Sequence, residues 1–114
     1  MSVKLTTRKV GDVTVIDSAG RITLGEGSSI FRDTIRGLAS KGDKKLLLNL
    51  ADVSYIDSSG IGELVSAFTT VTNQGGQLKL LNLTKRIQDL LQITKLYTVF
   101  EVFEDEAAAV RSFS

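Results

Sequence analysis

An α/β layer fold with a mainly parallel central sheet is what this sequence predicts, and three features carry the prediction. Two short runs, Lys45-Leu46-Leu47-Leu48-Asn49-Leu50 and Leu78-Lys79-Leu80-Leu81, are apolar almost throughout instead of alternating. Such runs suit inner strands covered on both faces, as in a parallel sheet. Between them Ile61, Leu64, Val65, Phe68 and Val71 keep a helical period that ends at Gly75-Gly76. Near the start, Gly11-Asp12 stands between two strand-like stretches as a tight hairpin turn would.

Taken in order, Val3 to Val10 alternates moderately and reads as a first strand, and Val13-Thr14-Val15-Ile16-Asp17 as a second. Gly20 to Gly27 is rich in small and turn-forming residues, which predicts a loop. From Ser28 to Lys41, Ile30, Phe31, Ile35 and Leu38 fall at helical spacing, with Ser28 or Ser29 as the cap and Gly42 as the stop. A further helix is expected over roughly Thr84 to Thr94, where Ile87, Leu90 and Leu91 follow a Thr84 cap. Phe100-Glu101-Val102-Phe103 reads as a short last strand, and the alanine-rich stretch Glu104 to Phe113 as a closing helix. The order is β-β-α-β-α-β-α-β-α. Strands alternating with helices predict right-handed crossovers, with the opening hairpin adding an antiparallel edge and helices packed around the sheet. At 114 residues, with no proline and no linker, the chain is expected to form one domain over residues 1–114.

Composition removes several kinds of function. Hydrophobic residues make up 42%, enough for a real core. With no cysteine and no histidine there is no disulfide frame, thiol nucleophile or imidazole base. No clustered acidic loop suggests a metal site. Fourteen basic against thirteen acidic residues leave a net charge of +1, far from the balance of a nucleic-acid binder. The denser basic spots, Lys41 with Lys44 and Lys45, and Lys85 with Arg86, read as solvated surface. Met1 to Thr6 lacks the apolar core of a signal peptide, and no apolar run approaches the ~20 residues of a membrane span. A soluble, cytoplasmic domain without cofactors is therefore expected.

Chemistry in an open α/β sheet gathers at the carboxyl ends of strands. One such end, Ile56-Asp57-Ser58-Ser59-Gly60-Ile61-Gly62, joins an acid, two hydroxyls and two glycines where a strand hands over to a helix. Capping by Asp57 or Ser58 explains one of these residues at about 1 kcal/mol. Gly60 and Gly62 are unexplained by capping, because glycine within a helix costs about 0.8–1 kcal/mol relative to alanine. Something is expected to approach the backbone closely there. Enzymatic readings fail on the same residues. A nucleophile elbow needs glycine two places before its serine, where Ile56 and Asp57 stand. A phosphate-cradling loop needs lysine where Asp43 follows Gly42. Non-catalytic binding is the expectation.

The segment Asp57-Ser58-Ser59-Gly60-Ile61-Gly62, preceded by Leu48-Asn49-Leu50 and Asp52-Val53-Ser54-Tyr55-Ile56, resembles the signature of the STAS domain, and within it the anti-sigma factor antagonists of bacteria. The likeness extends to Gly20-Arg21-Ile22, Gly75-Gly76, Lys85-Arg86-Ile87 and Thr94 through Phe100. It implies a STAS-like fold and a phosphorylation switch. Unphosphorylated, such a protein binds an anti-sigma factor that is itself a serine kinase, and the sigma factor is freed. Phosphorylation of the serine matching Ser58 breaks that complex, and a PP2C-type phosphatase resets it. The resemblance places partner contacts at Asp57, Ser58, Ser59, Gly60, Ile61 and Gly62, and in the early loop at Gly20, Arg21 and Thr23; family members often carry an acid at the last of these. Counting about 100° per residue from the apolar stripe centred near Phe68 puts Ser59 outward and Ser58 at its border, so periodicity favours Ser59 and the resemblance favours Ser58. Two other accounts stand beside it: a STAS scaffold or regulatory subunit that is never phosphorylated, and a small nucleotide- or anion-binding module using the Gly20 to Gly27 loop and the helix ends.

Overall fold

A computed structural model describes residues 3–113. Among these residues five strands form one sheet in the order β1-β2-β3-β4-β5. They are β1 (Val3–Val10), β2 (Val13–Ile22), β3 (Lys45–Ile56), β4 (Gln77–Leu81) and β5 (Val102–Phe103). The helices are α1 (Glu26–Ser40), α2 (Ser58–Asn73), α3 (Lys85–Ile93) and α4 (Glu106–Arg111), with a 3-10 turn at Leu96–Thr98. β1 and β2 pair antiparallel around the Gly11-Asp12 turn, where Gly11 has φ +63°, and all other pairings are parallel. The mainly parallel sheet with an antiparallel hairpin at its edge thus matches the sequence expectation.

Each parallel strand is added on the same side of the one before it. Right-handed crossovers stepping one way must place their helices on one face. Accordingly Phe31 and Ile35 of α1, Leu64 and Val71 of α2, and Ile87 and Leu91 of α3 pack with Leu46, Leu48 and Leu50 in one core. Among the described residues the opposite face is covered by α4 and the turn after it, where Ala109 and Phe113 meet Val13, Val15, Leu47 and Leu81. This two-sided burial of β3 is why its sequence reads as an unbroken apolar run.

Four local expectations need correction. β2 does not stop at Asp17: it continues to Ile22, pairing Gly20 with Val53, Arg21 with Tyr55 and Ile22 with Ile56. Register shifts between Asp17 and Ala19 and between Gly20 and Arg21 break the alternation that would have shown this in the sequence. The connecting loop therefore shrinks to residues 23–25. α1 starts earlier than expected, with Gly25 at its N-cap and no side-chain cap. Ser28 is buried within its first turn, its hydroxyl donating to the Thr23 carbonyl at 2.8 Å. β5 is shorter than expected, because Phe100 leaves the strand direction to pack edge-to-face on Phe68 at 5.4 Å. The 3-10 turn before it had no sequence signal beyond Lys95, which takes a left-handed φ of 60°.

A polar ladder ties the helix α4 side together. Arg8 donates to Asp17 and Glu106, Asn49 donates to Asp17 at 2.9 Å, and Asn82 donates to Asn49 at 3.3 Å. The Arg8 guanidinium holds both carboxyl groups below their usual range. A carboxylate lowered in the folded state stabilises the fold above its unfolded pKa, and that contribution disappears as pH falls through the folded value. Stability is expected to drop on acidification below about pH 4. Because these groups are more than a third exposed, Arg8→Gln should remove no more than about 1 kcal/mol at neutral pH and flatten the acid limb, as urea titrations at pH 7 and pH 3 would read.

Candidate functional site

The carboxyl end of β3 meets the first turn of α2 at Asp57, an extended residue with φ −106° and ψ −174°. That conformation lets its carboxylate turn back over the helix end. One oxygen accepts the Gly60 N–H at 2.8 Å, capping α2, and the other accepts the Leu24 N–H at 3.3 Å. Asp57 therefore joins the strand-to-helix corner to the loop after β2. Its own N–H reaches the Ile22 carbonyl at 3.4 Å, a contact that continues the β2–β3 pairing into the corner. Asp57→Ala removes both acceptor bonds and should cost about 1–2 kcal/mol in chemical denaturation. Asp57→Asn, which keeps an acceptor oxygen, should recover most of it.

Ser58, the first residue of α2, is exposed, whereas Ser59 is half-buried. This reverses the assignment from helical periodicity. A helical wheel assumes that the first turn already follows the stripe defined farther along. At this corner the Asp57 cap and the close approach to β2 set the direction instead. The hydroxyl of Ser58 thus points away from the core at a helix N-terminus, where the first turn of α2 carries no acidic residue. Unpaired N–H groups there bear roughly half a positive charge, an environment that tolerates an added anion.

The two glycines differ in cause. Gly60 is buried, and a Cβ there would be driven into the Ile22 carbonyl oxygen and lie 2.5 Å from Ile56 Cγ1. What approaches its backbone is β2 of the same chain. Nothing lies within 4 Å of a Cβ added at Gly62, so no ligand-sized demand is visible at that position. The expected close approach to the backbone thus holds at Gly60, where the chain itself supplies it, and fails at Gly62. Gly60 and Ile61, also expected to touch a partner, are both buried, and Ile61, 4% exposed, belongs to the core.

Of the remaining predicted positions, Gly62 is exposed beside Ser58. Gly20 is half-buried within β2, its carbonyl accepting the Ser54 hydroxyl at 3.1 Å. Thr23 is half-buried and supplies its carbonyl to the start of α1. Arg21 is exposed, with its guanidinium 5.0 Å from the centre of the Tyr55 ring. Two features went unread in the sequence. Leu24 is 79% exposed on the loop that Asp57 holds, an apolar side chain presented at the site's edge. Arg86, from the start of α3, stacks on the same Tyr55 ring at 4.1 Å. A single leucine in a small-residue loop and a distant aromatic–arginine pair carry no periodic signal. Arg32 and Glu63 pair across α1 and α2, fixing the two helices that flank the corner. Among the described residues no group of three potential metal ligands comes together, and no helix is long and apolar enough to cross a membrane.

The arrangement is a surface of one exposed hydroxyl, one exposed leucine and a capped helix end, on a rigid base. The family model of the STAS domain matches residues 4–109. The anti-sigma-B factor antagonist of Bacillus subtilis is 38% identical over 87 residues, which are 76% of this chain and 78% of that protein. The anti-sigma factor antagonist SpoIIAA in its unphosphorylated form shares the fold with a TM-score of 0.72 at 19% identity, covering 96% of both chains. The Bacillus cell fate determinant SpoIIAA in the phosphorylated form gives 0.76 at 19% identity, covering 97% of this chain and all of the other. The corner, the sheet order and these likenesses agree: the chain belongs to the STAS domain family.

Proposed function

We propose that this protein is an anti-sigma factor antagonist, a binding module switched by phosphorylation of Ser58. Unphosphorylated, it docks the Ser58 corner on an anti-sigma factor, which releases its sigma factor. That anti-sigma factor acts as the serine kinase, and a PP2C-type phosphatase restores the free hydroxyl. The protein contributes no catalysis; its part is to present a surface that a phosphate can spoil. The carrying observation is the exposure of Ser58 at the N-terminus of a 16-residue helix, directly after the Asp57 cap. The relative named an anti-sigma-B factor antagonist, and SpoIIAA with its phosphorylated and unphosphorylated forms, support the same reading.

Ser58 is preferred to Ser59 because a kinase must draw the acceptor hydroxyl into its own active site. An exposed first-turn residue can be reached without opening the corner, whereas half-buried Ser59 cannot be reached as easily. Incubation with the host's anti-sigma factor kinase and ATP should add one phosphate, about 80 Da, located on Ser58 by peptide mass spectrometry. Ser58→Ala should abolish incorporation. Full incorporation into Ser58→Ala would transfer the role to another residue.

A further inference from the structure

Arg21 and Arg86 come from elements far apart in sequence, the end of β2 and the start of α3, yet both guanidinium groups lie on the Tyr55 ring. The distances, 5.0 and 4.1 Å to the ring centre, leave no more than about 9 Å between the two guanidinium carbons. Two like charges so close repel within one Debye length. The ring's negative face offsets that repulsion and fixes where each cation sits. Two other arginines are neutralised, Arg8 by Asp17 and Glu106 and Arg32 by Glu63. Among the described residues neither Arg21 nor Arg86 has a carboxylate within 4 Å, although both are exposed. Beside Arg86 a depression of about 410 Å³ opens, lined by Lys85, Arg86, Asp89 and Leu90.

The position connects this pair to the switch. Arg21 lies opposite Tyr55 in the β2–β3 register, and the next pair, Ile22 with Ile56, abuts Asp57. The pair therefore occupies the rim of the sheet from which α2 starts. We propose that Arg21 and Arg86, drawn onto Tyr55, form a cationic clasp that receives a carboxylate side chain of the protein partner docked at Ser58. Stacked guanidinium groups keep their edge N–H donors free, and those donors match the two oxygens of a carboxylate. A preset fork also loses little side-chain freedom on binding. The clasp rests on the docking role proposed above and names the chemistry that the partner must bring.

Calorimetry of the unphosphorylated protein with the anti-sigma factor kinase, at 50 mM and 500 mM salt, tests it. Arg21→Gln and Arg86→Gln should each weaken binding about tenfold at low salt, with the loss shrinking at high salt as the charges are screened. Lys41→Gln, at the opposite rim, should bind as the parent does, and thermal melts should show all variants folded. Arginine variants that bind like the parent would overturn the clasp while leaving the docking role intact. Titration with poly-L-glutamate, followed by NMR of the arginine Nε–H signals, probes the clasp without the kinase. Perturbed Arg21 and Arg86 signals, absent in the variants, support it even if the kinase fails to bind, a failure that would count against the docking role alone. Tighter response to inorganic phosphate or ATP than to poly-L-glutamate would overturn the carboxylate assignment in favour of a free-anion site.

Discussion

Phosphoserine at position 58 should lower affinity for the anti-sigma factor by roughly one to three decades while the domain stays folded. Two effects of the same charge compete. The phosphate brings about −1.5 to −2 charges at pH 7. At the N-terminus of α2 it gains about 0.3–1 kcal/mol from the helix dipole, so its own domain accommodates it. In a packed interface beside the Asp57 carboxylate the charge is desolvated and repelled. Leaving such a charge unpaired costs about 2–5 kcal/mol. The difference is about 1–5 kcal/mol, and each 1.4 kcal/mol is about tenfold in the dissociation constant. Titration calorimetry with both forms reads this directly. Ser58→Ala should bind within a few fold of the unmodified protein, and Ser58→Asp should fall between, since aspartate carries only part of the phosphate's charge. Equal binding by the phosphorylated and unphosphorylated forms would end the switch mechanism.

Gly60→Ala should destabilise the fold by about 3 kcal/mol, the upper part of the range for overpacking a filled site. The added methyl meets backbone on one side, the Ile22 carbonyl oxygen, and the Ile56 side chain on the other. Backbone at the end of a paired strand cannot yield cheaply, so β2 and α2 must separate at the corner that carries Ser58. Gly62→Ala, two residues later, enters open space and should stabilise by up to about 1 kcal/mol through helix propensity alone. Urea unfolding of the two variants tests the contrast. Equal effects would mean that the close packing of α2 on β2 is wrong. The pair also separates structure from recognition: Gly62→Ala puts its methyl on the exposed face beside Ser58, so weaker partner binding without loss of stability would place Gly62 within the docking surface.

The element order, the hairpin edge and the main helices were legible because each rests on local chemistry. Leu46 to Leu48, and Leu78, Leu80 and Leu81, are apolar because both sides of the sheet are covered, and Thr84 caps α3 through the bond from the Ile87 N–H that its sequence position implies. Asp57 was legible as a cap for the same reason. Element limits failed where pairing overrode local pattern. Beyond the register shift at Ser18, the last residues of β2, Ala19 to Ile22, are held by parallel pairing with β3, which no alternation announces. Ser28 looked like a helix cap, but its hydroxyl serves the Thr23 carbonyl from inside α1.

By itself the sequence determined the α/β layering, the strand-to-helix corner and the hydroxyls standing on it, since apolar runs, helical periods and caps act over a few residues. Tertiary structure alone decided which serine faces outward, why Gly60 is needed, and that Arg21 and Arg86 share one ring. Those outcomes depend on where segments tens of residues apart come to lie once the core has closed, and spacing along a chain does not encode such distances.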